Sequence, residues 1–451
     1  MTLSEVLADE GLADLNARHS QRVRDDLLDA EGAFGYDIAI VGLGYVGLPT
    51  ALAFHQAGSR VLGLDVSERR LSVIKEGHPD LVDTDAVRLA RALADPGFTM
   101  TSDAARLSRA RAVIICVPTP VDEHLVPELR ILKAACETVV SAAVPGQVLI
   151  LTSTTYVGTT SEMLVRPLEA RGFRVGEDIS VAFSPERIDP GTDLHAHEDV
   201  ARVVGGHTAA CAAKAAAALG SYAKKVHIVA STDTAEMTKL LENTFRAVNI
   251  ALANEIAEIC QVMGMDVMDV IGAAATKPYG YMPFYPGPGV GGHCIPCDPH
   301  YLLWQLKRQR ISTPVIEQAM AGIAGRPHRV VARVREVLSA QGRGLAGARV
   351  LVVGVAYKPD VEDIRESPAL DILNGLIEAN AIVQYYDPLF ATVTLPGGTT
   401  LIGVERPSEF NADLVLVHTA HNKVDLAWLA NETIVLDATY RLSGLPNRVT
   451  L

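Results

Sequence analysis

The chain has 451 residues, too many for one ordinary hydrophobic core, so two or three domains are expected. Hydrophobic residues make up 49% and charged residues 21%, the balance of a water-soluble protein and not of a disordered or membrane-embedded one. The net charge of −13 argues against nucleic acid or an anionic membrane as partner, so an anionic substrate must be met by local Lys, Arg and backbone N–H groups.

In chain order, residues 1–35 read as an N-terminal helical extension. Leu3, Val6, Leu7, Leu12 and Leu15 recur at helix-like spacing, and Gly32 and Gly35 end the segment. Its start, Met1 to Glu10, is acidic and lacks an apolar run, so no secretory leader is read and the cytoplasm is the expected location. Residues 36–230 read as a first Rossmann domain. Asp37 to Val41 is a short apolar run, as a buried parallel strand should be. A glycine-rich turn follows, then a helix over about 46–57 and a strand over 60–65. Further strands are expected at 111–117, 147–152 and 179–183, with helices between, which predicts a doubly wound parallel sheet. The longest uncharged run, between Glu137 and Glu162, contains Pro145-Gly146 and reads as helix end, turn and strand, not as a membrane span.

Residues 231–330 read as a central helical region. Ala235 to Met263 is free of Pro and Gly, with Met237, Leu240, Leu241, Phe245, Val248, Ile250 and Leu252 on a helical period; a helix this long spans two domains or forms a subunit interface. Residues 331–451 read as a second Rossmann-like domain. Its strands are expected at 349–354, 381–386, 414–417 and 434–436. A helix from Ser367 to Asn380 lies between the first two, with Ser367 as N-cap and Pro368 in the first position. The fold class is therefore α/β: two Rossmann-like doubly wound domains joined by a long central helix.

Two motifs carry chemistry. Gly42-Leu43-Gly44-Tyr45-Val46-Gly47 is G-x-G-x-x-G, a weak signal alone. Here it follows a strand, opens a helix and is followed by Asp65 at the end of the next strand, which is the context of a dinucleotide site. The helix N-terminus suits a pyrophosphate, and Asp65 suits a ribose diol while repelling a 2′-phosphate, so NAD is expected over NADP. The bland alternative is a glycine turn in a flavodoxin-like domain without cofactor.

The second motif is Pro286 to Pro299, with four glycines in six positions (Gly287, Gly289, Gly291, Gly292) before Cys294. So many glycines suggest backbone folded closely round a ligand. Asp298 lies one helical turn beyond Cys294 if a helix begins there. Three readings stand. One is a structural loop with a buried thiol. Another is a Cys294-x-x-Cys297 redox or metal pair, although no second Cys or His pair with zinc spacing exists and no metal is expected. The third is a covalent catalytic cysteine beside an NAD domain. The other four cysteines, Cys116, Cys136, Cys211 and Cys260, sit in apolar or Ala-rich stretches, and six in all do not make a disulfide framework.

Taken together, these residues resemble the UDP-glucose/GDP-mannose dehydrogenase family from about Tyr36 onward. The resemblance is carried by Val41 to Pro49, Val117-Pro118-Thr119-Pro120, Ser184 to Gly191, Lys239 to Asn254, the cysteine loop, and Tyr357-Lys358-Pro359-Asp360 through Ser367. It implies a C-terminal domain that binds a nucleotide sugar, a homodimer through the central helix, and NAD-dependent four-electron oxidation of the hexose C6 hydroxyl to a carboxylate. Cys294 matches the nucleophile that carries the hemithioacetal and thioester. Lys239, Asn243 and Asp298 match the group that positions water and stabilises the oxyanion, and Glu186 matches a carboxylate linked to thioester hydrolysis. The implied cofactor contacts are Gly42, Gly44, Tyr45, Val46, Gly47, Asp65, Pro118, Thr119, Thr154 and Arg365. The implied substrate contacts are Arg187, Ile188, Arg246, Tyr285, Gly289, Gly291 and Lys358.

There are departures. Cys297 stands where an aliphatic residue is usual, which allows an inactivating Cys294–Cys297 disulfide. Thr152 and Val157 stand where an acidic residue and a proline are common. The segments 240–250 and 283–289 look most like the branch acting on UDP-N-acetylhexosamines, with UDP-glucose and dTDP-glucose as alternatives. Competing functions are a phosphogluconate-type or hydroxyacyl-CoA dehydrogenase, which needs neither the cysteine loop nor the second half, and a non-catalytic nucleotide-sugar sensor.

Overall fold

The computed structural model describes residues 34–77, 83–187, 197–292 and 294–451. Residues 1–33 of the expected extension, Ile188 to Gly191 and His293 lie outside the described residues. The chain divides into two compact units, one up to Leu241 and the other from Glu242.

The first unit is built on an eight-stranded sheet of β1 (Tyr36–Val41), β2 (Val61–Leu64), β3 (Phe98–Thr101), β4 (Ala110–Ile115), β5 (Val148–Leu151), β6 (Ser180–Phe183), β7 (Arg202–Gly206) and β8 (Val226–Val229), in the order β3-β2-β1-β4-β5-β6-β7-β8. Helices cover both faces, so β2, β5 and β6 are buried along their whole length, which is why none of them carries a charged residue and β5 reads as continuous Val, Leu and Ile. The sheet reverses direction outward from between β1 and β4, the switch point at which open α/β sheets bind ligands. Three strands of this sheet escaped the sequence, as did the short strands Thr392–Thr394, Thr400–Ile402 and Arg448–Thr450 of the second unit. β3 is half polar, β8 is a partly exposed edge, and β7 opens on a charged residue and closes on two glycines. The sheet is also not wholly parallel, since β6 and β7 pair antiparallel with Ala182 opposite Gly206.

Helix α1 (Gly47–Gln56) follows β1, and the central helix α2 (Thr232–Met263) runs from the first unit into the second. The second unit contains α3 (Asp298–Gln309), α4 (Pro314–Ala340), and a parallel sheet of β9 (Arg349–Val353), β10 (Ile382–Tyr386), β13 (Leu414–Val417), β14 (Val435–Asp437) and β15 (Arg448–Thr450) in the order β10-β9-β13-β14-β15. The small hairpin β11 (Thr392–Thr394) and β12 (Thr400–Ile402) stands beside it. Helix α5 (Pro368–Glu378) begins as expected, with the Ser367 side chain accepting from Ala369 N and Pro368 in the first turn.

Alternation along β9 explains the layering. Val350 and Val352 face a core with Val330, Val334 and Leu338 of α4 and Ile372 and Leu376 of α5, whereas Leu351 and Val353 face Val415, Val417 and Leu429. Each of these side chains, fully buried, contributes roughly 1.5–3 kcal/mol. Helix α4 continues through Pro327, a residue that ordinarily breaks a helix; its neighbours Val330, Val331 and Arg326 are buried. Among the described residues, no helix is long and apolar enough to cross a membrane.

Candidate active site

In the first unit the expected site residues follow the C-terminal ends of neighbouring strands. Gly42 has φ +92, and a Cβ there would lie 2.7 Å from the Cys116 carbonyl oxygen. At Gly47 a Cβ would lie 1.8 Å from the Gly42 carbonyl oxygen, so this turn admits only glycine at both positions. Gly44 has nothing within 4 Å and is exposed, with Tyr45 and Val46 half-buried beside it. Val46 takes the N-cap position of α1 without a capping side chain, so no side chain competes with an incoming anion there. Asp65, half-buried at the end of β2, accepts from Leu43 N at 2.9 Å through Oδ2 and from Ser67 N at 2.9 Å through Oδ1. This is an open phosphate-sized cradle with a carboxylate beyond it, and it fits a dinucleotide.

Beyond β4 and β5, two segments are stitched together. Val117 N donates to Ser153 Oγ (2.9 Å), and Ser153 Oγ donates back to Val117 O (2.7 Å). Pro118, Thr119 and Thr154 flank this tie and are at least partly exposed. Cys116, beneath it, is pushed up to about 12 by burial and by the charge of Glu186, and so stays an inert thiol. The turn after Thr154 is held by Glu236 of α2, which accepts from Gly158 N (2.5 Å), Thr160 N (2.8 Å) and Thr160 Oγ1 (2.7 Å). Burial outweighs these donors and raises the Glu236 carboxyl to about 7.

Beyond β6, Glu186 is buried and ion-paired with Arg202 (Nη1 to Oε1, 2.6 Å), and Arg187 N donates to the same oxygen at 2.7 Å. Burial alone would raise its carboxyl; the Arg202 charge and these two hydrogen bonds overcome that and hold it below the usual range. The Arg187 side chain is turned to the Ala201 carbonyl at 2.9 Å. Lys239 is not a solvated helix charge: it is buried and donates to the Glu186 carbonyl oxygen at 2.7 Å.

In the second unit, Asn243 lies one turn beyond Lys239 on α2, on the same face. It donates to the Asp298 carboxylate. Asp298 is buried, opens α3, and gives its N–H to the Cys294 carbonyl at 2.8 Å, so the cysteine stands at the electropositive end of that helix. Asn243, Asp298 and Cys294 thus form one bonded chain. Of the six cysteines, five are buried and Cys294 alone is partly exposed. Ile295 anchors the turn among Ala247, Met320 and Ile323.

Three of the glycines before Cys294 are required by packing within the protein. A Cβ on Gly291 would lie 2.5 Å from Tyr357 Cβ and 2.7 Å from the Glu366 carbonyl oxygen, and one on Gly289 would lie 2.6 Å from Pro368 Cγ. At Gly289, Gly291 and Gly292 the loop is therefore packed against the 357–368 segment, which leaves no room for a side chain. Gly292 N also donates to the Arg365 carbonyl at 3.2 Å. At the loop's start Gly287 is held by Asn254 Oδ1 (3.0 Å from its N) and by Arg326 Nε (2.9 Å from its O). The Arg365 side chain is exposed and paired with Asp363 (Nη2 to Oδ2, 2.6 Å), and Lys358 is half-buried. Arg246 and Tyr285 are exposed.

The sequence reading missed Arg202, Glu236 and Arg326. Glu236 was findable, one turn before Lys239 on the same helix. Arg202 and Arg326 carry no motif; the first is a charge at the head of an apolar strand and the second one of several charges on α4, and only burial makes them significant.

Comparison with known proteins gives consistent matches. Three family models of the UDP-glucose/GDP-mannose dehydrogenases match in turn: the NAD binding domain over 36–223, the central domain over 233–322 and the UDP binding domain over 351–443. The UDP-N-acetyl-D-glucosamine 6-dehydrogenase of Pseudomonas aeruginosa is 33% identical over 392 residues, covering 86% of this chain and 90% of that relative. The UDP-N-acetyl-D-mannosamine dehydrogenase of Salmonella typhi is 34% identical over 350 residues, covering 75% and 82%. Among solved structures, the UDP-D-ManNAc dehydrogenase of Pyrococcus horikoshii superposes with a TM-score of 0.82 at 31% identity, covering 92% of this chain and 98% of that one.

Proposed function

Since the chain belongs to the UDP-glucose/GDP-mannose dehydrogenase family and is an NAD-dependent nucleotide-sugar oxidoreductase, we propose that it oxidises the C6 hydroxymethyl group of a UDP-N-acetylhexosamine to a carboxylate with Cys294 as covalent nucleophile. The observation that carries this is the partly exposed Cys294 at the head of α3, bonded through Asp298 to Asn243, while the other five thiols are buried.

Gly44 would admit the pyrophosphate of NAD and Asp65 would take its ribose diol; the cofactor, when bound, would supply a hydride acceptor, one NAD for each of the two oxidations. Cys294 adds to the C6 aldehyde through sulfur, giving a hemithioacetal, and the second oxidation leaves a thioester. Lys239, Asn243 and Asp298 hold the oxyanion and the water, and Glu186 takes a proton from that water as it attacks the thioester carbon and the thiolate leaves. Pro118, Thr119 and Thr154 line the cofactor, and Arg365 is assigned to it as well. Arg187, Arg246, Tyr285, Gly289, Gly291 and Lys358 meet the nucleotide sugar. The enzyme works in the cytoplasm as a homodimer through α2, whose exposed Leu241, Phe245, Leu252 and Ile259 form an apolar stripe.

The test is product stoichiometry across UDP-GlcNAc, UDP-GalNAc, UDP-ManNAc, UDP-glucose and dTDP-glucose. Two NADH and one uronic acid per sugar are expected, fastest with a UDP-N-acetylhexosamine. Cys294→Ser should lose turnover by roughly 10³-fold or more and still bind the sugar nucleotide. One NADH per sugar, or a Cys294→Ser enzyme that still makes the acid, overturns the mechanism.

A further inference from the structure

The buried ion pair behind Glu186 supports an inference that rests on the hydrolytic role proposed above. Arg202 opens β7, the strand that pairs antiparallel with β6. Continuing the Phe183–Gly205 register past the end of β6 brings Glu186 opposite Arg202, and there the side chains meet at 2.6 Å with only 3% and 9% of their surfaces exposed. The guanidinium lies over the Tyr222 ring, 5.4 Å from its centroid, which fixes the guanidinium plane. Arg187 N takes the same carboxylate oxygen as Arg202, so two donors set one rotamer of Glu186. A carboxylate this dry and without a counter-charge would stay protonated at neutral pH and have no basic form to offer.

We propose that Arg202 is a positioning residue for the hydrolytic half of the reaction: it holds Glu186 in one rotamer and in its anionic form, so that the carboxylate receives the proton of the attacking water. The bonds balance. Water oxygen joins the thioester carbon, its proton passes to Glu186, and the carbon–sulfur bond breaks with the electron pair on Cys294. The titratable groups facing Glu186 are Arg202, Tyr222, His197, Cys116 and Lys239. Arg202 forms an ion pair with it at hydrogen-bond distance.

The test compares the full-length enzyme with Arg202→Met, Arg202→Lys, Glu186→Gln and the Arg202→Met/Glu186→Gln double variant. Arg202→Met should lower kcat roughly 10- to 100-fold with the sugar KM unchanged. It should release two NADH per site in a burst, leave an acyl adduct on Cys294 visible by intact mass, and move the acid limb of the kcat profile up by about one pH unit or more. Arg202→Lys should recover part of kcat and of the limb. The double variant, which leaves no unpaired buried charge and so keeps the test open if Arg202→Met does not fold, should match Glu186→Gln alone. An unshifted acid limb in Arg202→Met and Arg202→Lys overturns the inference, as does a double variant whose loss is the product of the two single losses. A Glu186→Gln enzyme with full turnover removes the hydrolytic role of Glu186 itself, and is recognised by that variant alone.

Discussion

Each half of the chain contains the same local grammar: strand, glycine turn, helix, second strand, aspartate. Gly42 N donates to Leu64 O at 2.8 Å, and Gly354 N donates to Tyr386 O at 2.8 Å. The aspartate after the second strand then caps the turn, Asp65 through Leu43 N (2.9 Å) and Asp387 through Val355 N (2.7 Å). The halves differ in what happens next. In the first, α1 starts directly at Gly47 and Asp65 stays half-buried. In the second, the chain makes a long excursion through Lys358 and Arg365 before α5, and His421 Nε2 closes on Asp387 Oδ2 at 3.1 Å. The first carboxylate thus stays half-exposed beside its turn, whereas the second is buried and locks a loop. On the function proposed above, the same backbone device serves a dinucleotide where the aspartate remains accessible.

Breaking the shared part should have the largest effect. Gly47→Ala would set a methyl 1.8 Å from the Gly42 carbonyl oxygen, and Gly354→Ala would set one 2.0 Å from the Thr419 carbonyl oxygen. Both overlaps are with backbone, which cannot step aside as a side chain can. Each variant should lose more than about 3 kcal/mol in urea unfolding, and Gly47→Ala should also abolish NAD binding measured by fluorescence titration.

The floors of the two turns separate them by pH. Beneath the first lies the apolar thiol of Cys116. Beneath the second lies His418, fully buried, whose Nδ1 meets Thr419 Oγ1 at 2.8 Å. Burial lowers this imidazole from 6.5 to about 4. Unfolded, it binds a proton near 6.5; folded, it does not. Its contribution is full above pH 6.5 and is lost as pH falls from 6.5 toward 4, up to about 3 kcal/mol. Both tryptophans, Trp304 and Trp428, lie in the second unit, so their fluorescence reports this transition separately. His418→Asn should flatten the acid slope.

Exchanging the aspartates' partners sharpens the contrast further. Asp387→Asn places an amide N–H among Val355 N, Ala356 N and His421, and should cost about 2 kcal/mol of stability. Asp65→Asn should leave stability nearly unchanged, raise the KM for NAD roughly tenfold, and narrow the preference over NADP. Equal losses of stability in the two variants would contradict the division of labour.

What was legible follows from where the constraint lies. The glycine turn, Asp65, the Ser367-Pro368 helix start and the apolar strands are local, and their residues announce them. The one-turn spacings of Lys239 to Asn243 and Cys294 to Asp298 are helical periodicity, and both hold. Long-range packing was not legible. Nothing near Gly291 in sequence reveals that Tyr357 and Glu366 will press on it. Nothing near Glu186 names Arg202, because the pairing needs β7 to reverse beside β6, and β7 itself has no strand signature. His421 is likewise an ordinary loop residue until the fold brings Asp387 to it.

The smallest expected change is the most selective. Gly44 has open space where a Cβ would stand, and its backbone conformation does not demand glycine. Gly44→Ala should therefore alter stability by less than about 0.5 kcal/mol. If Gly44 is glycine because a pyrophosphate comes against its backbone, the same methyl should weaken NAD severalfold or more, with no change in the affinity for the sugar nucleotide. The C-terminal half has no counterpart to this position, since its excursion past Gly354 is filled by protein. Isothermal titration of both ligands against Gly44→Ala decides the matter. Unaltered NAD affinity would mean the cradle is empty space and not a phosphate site, while a matching loss in sugar-nucleotide affinity would mean that the two halves do not divide the ligands.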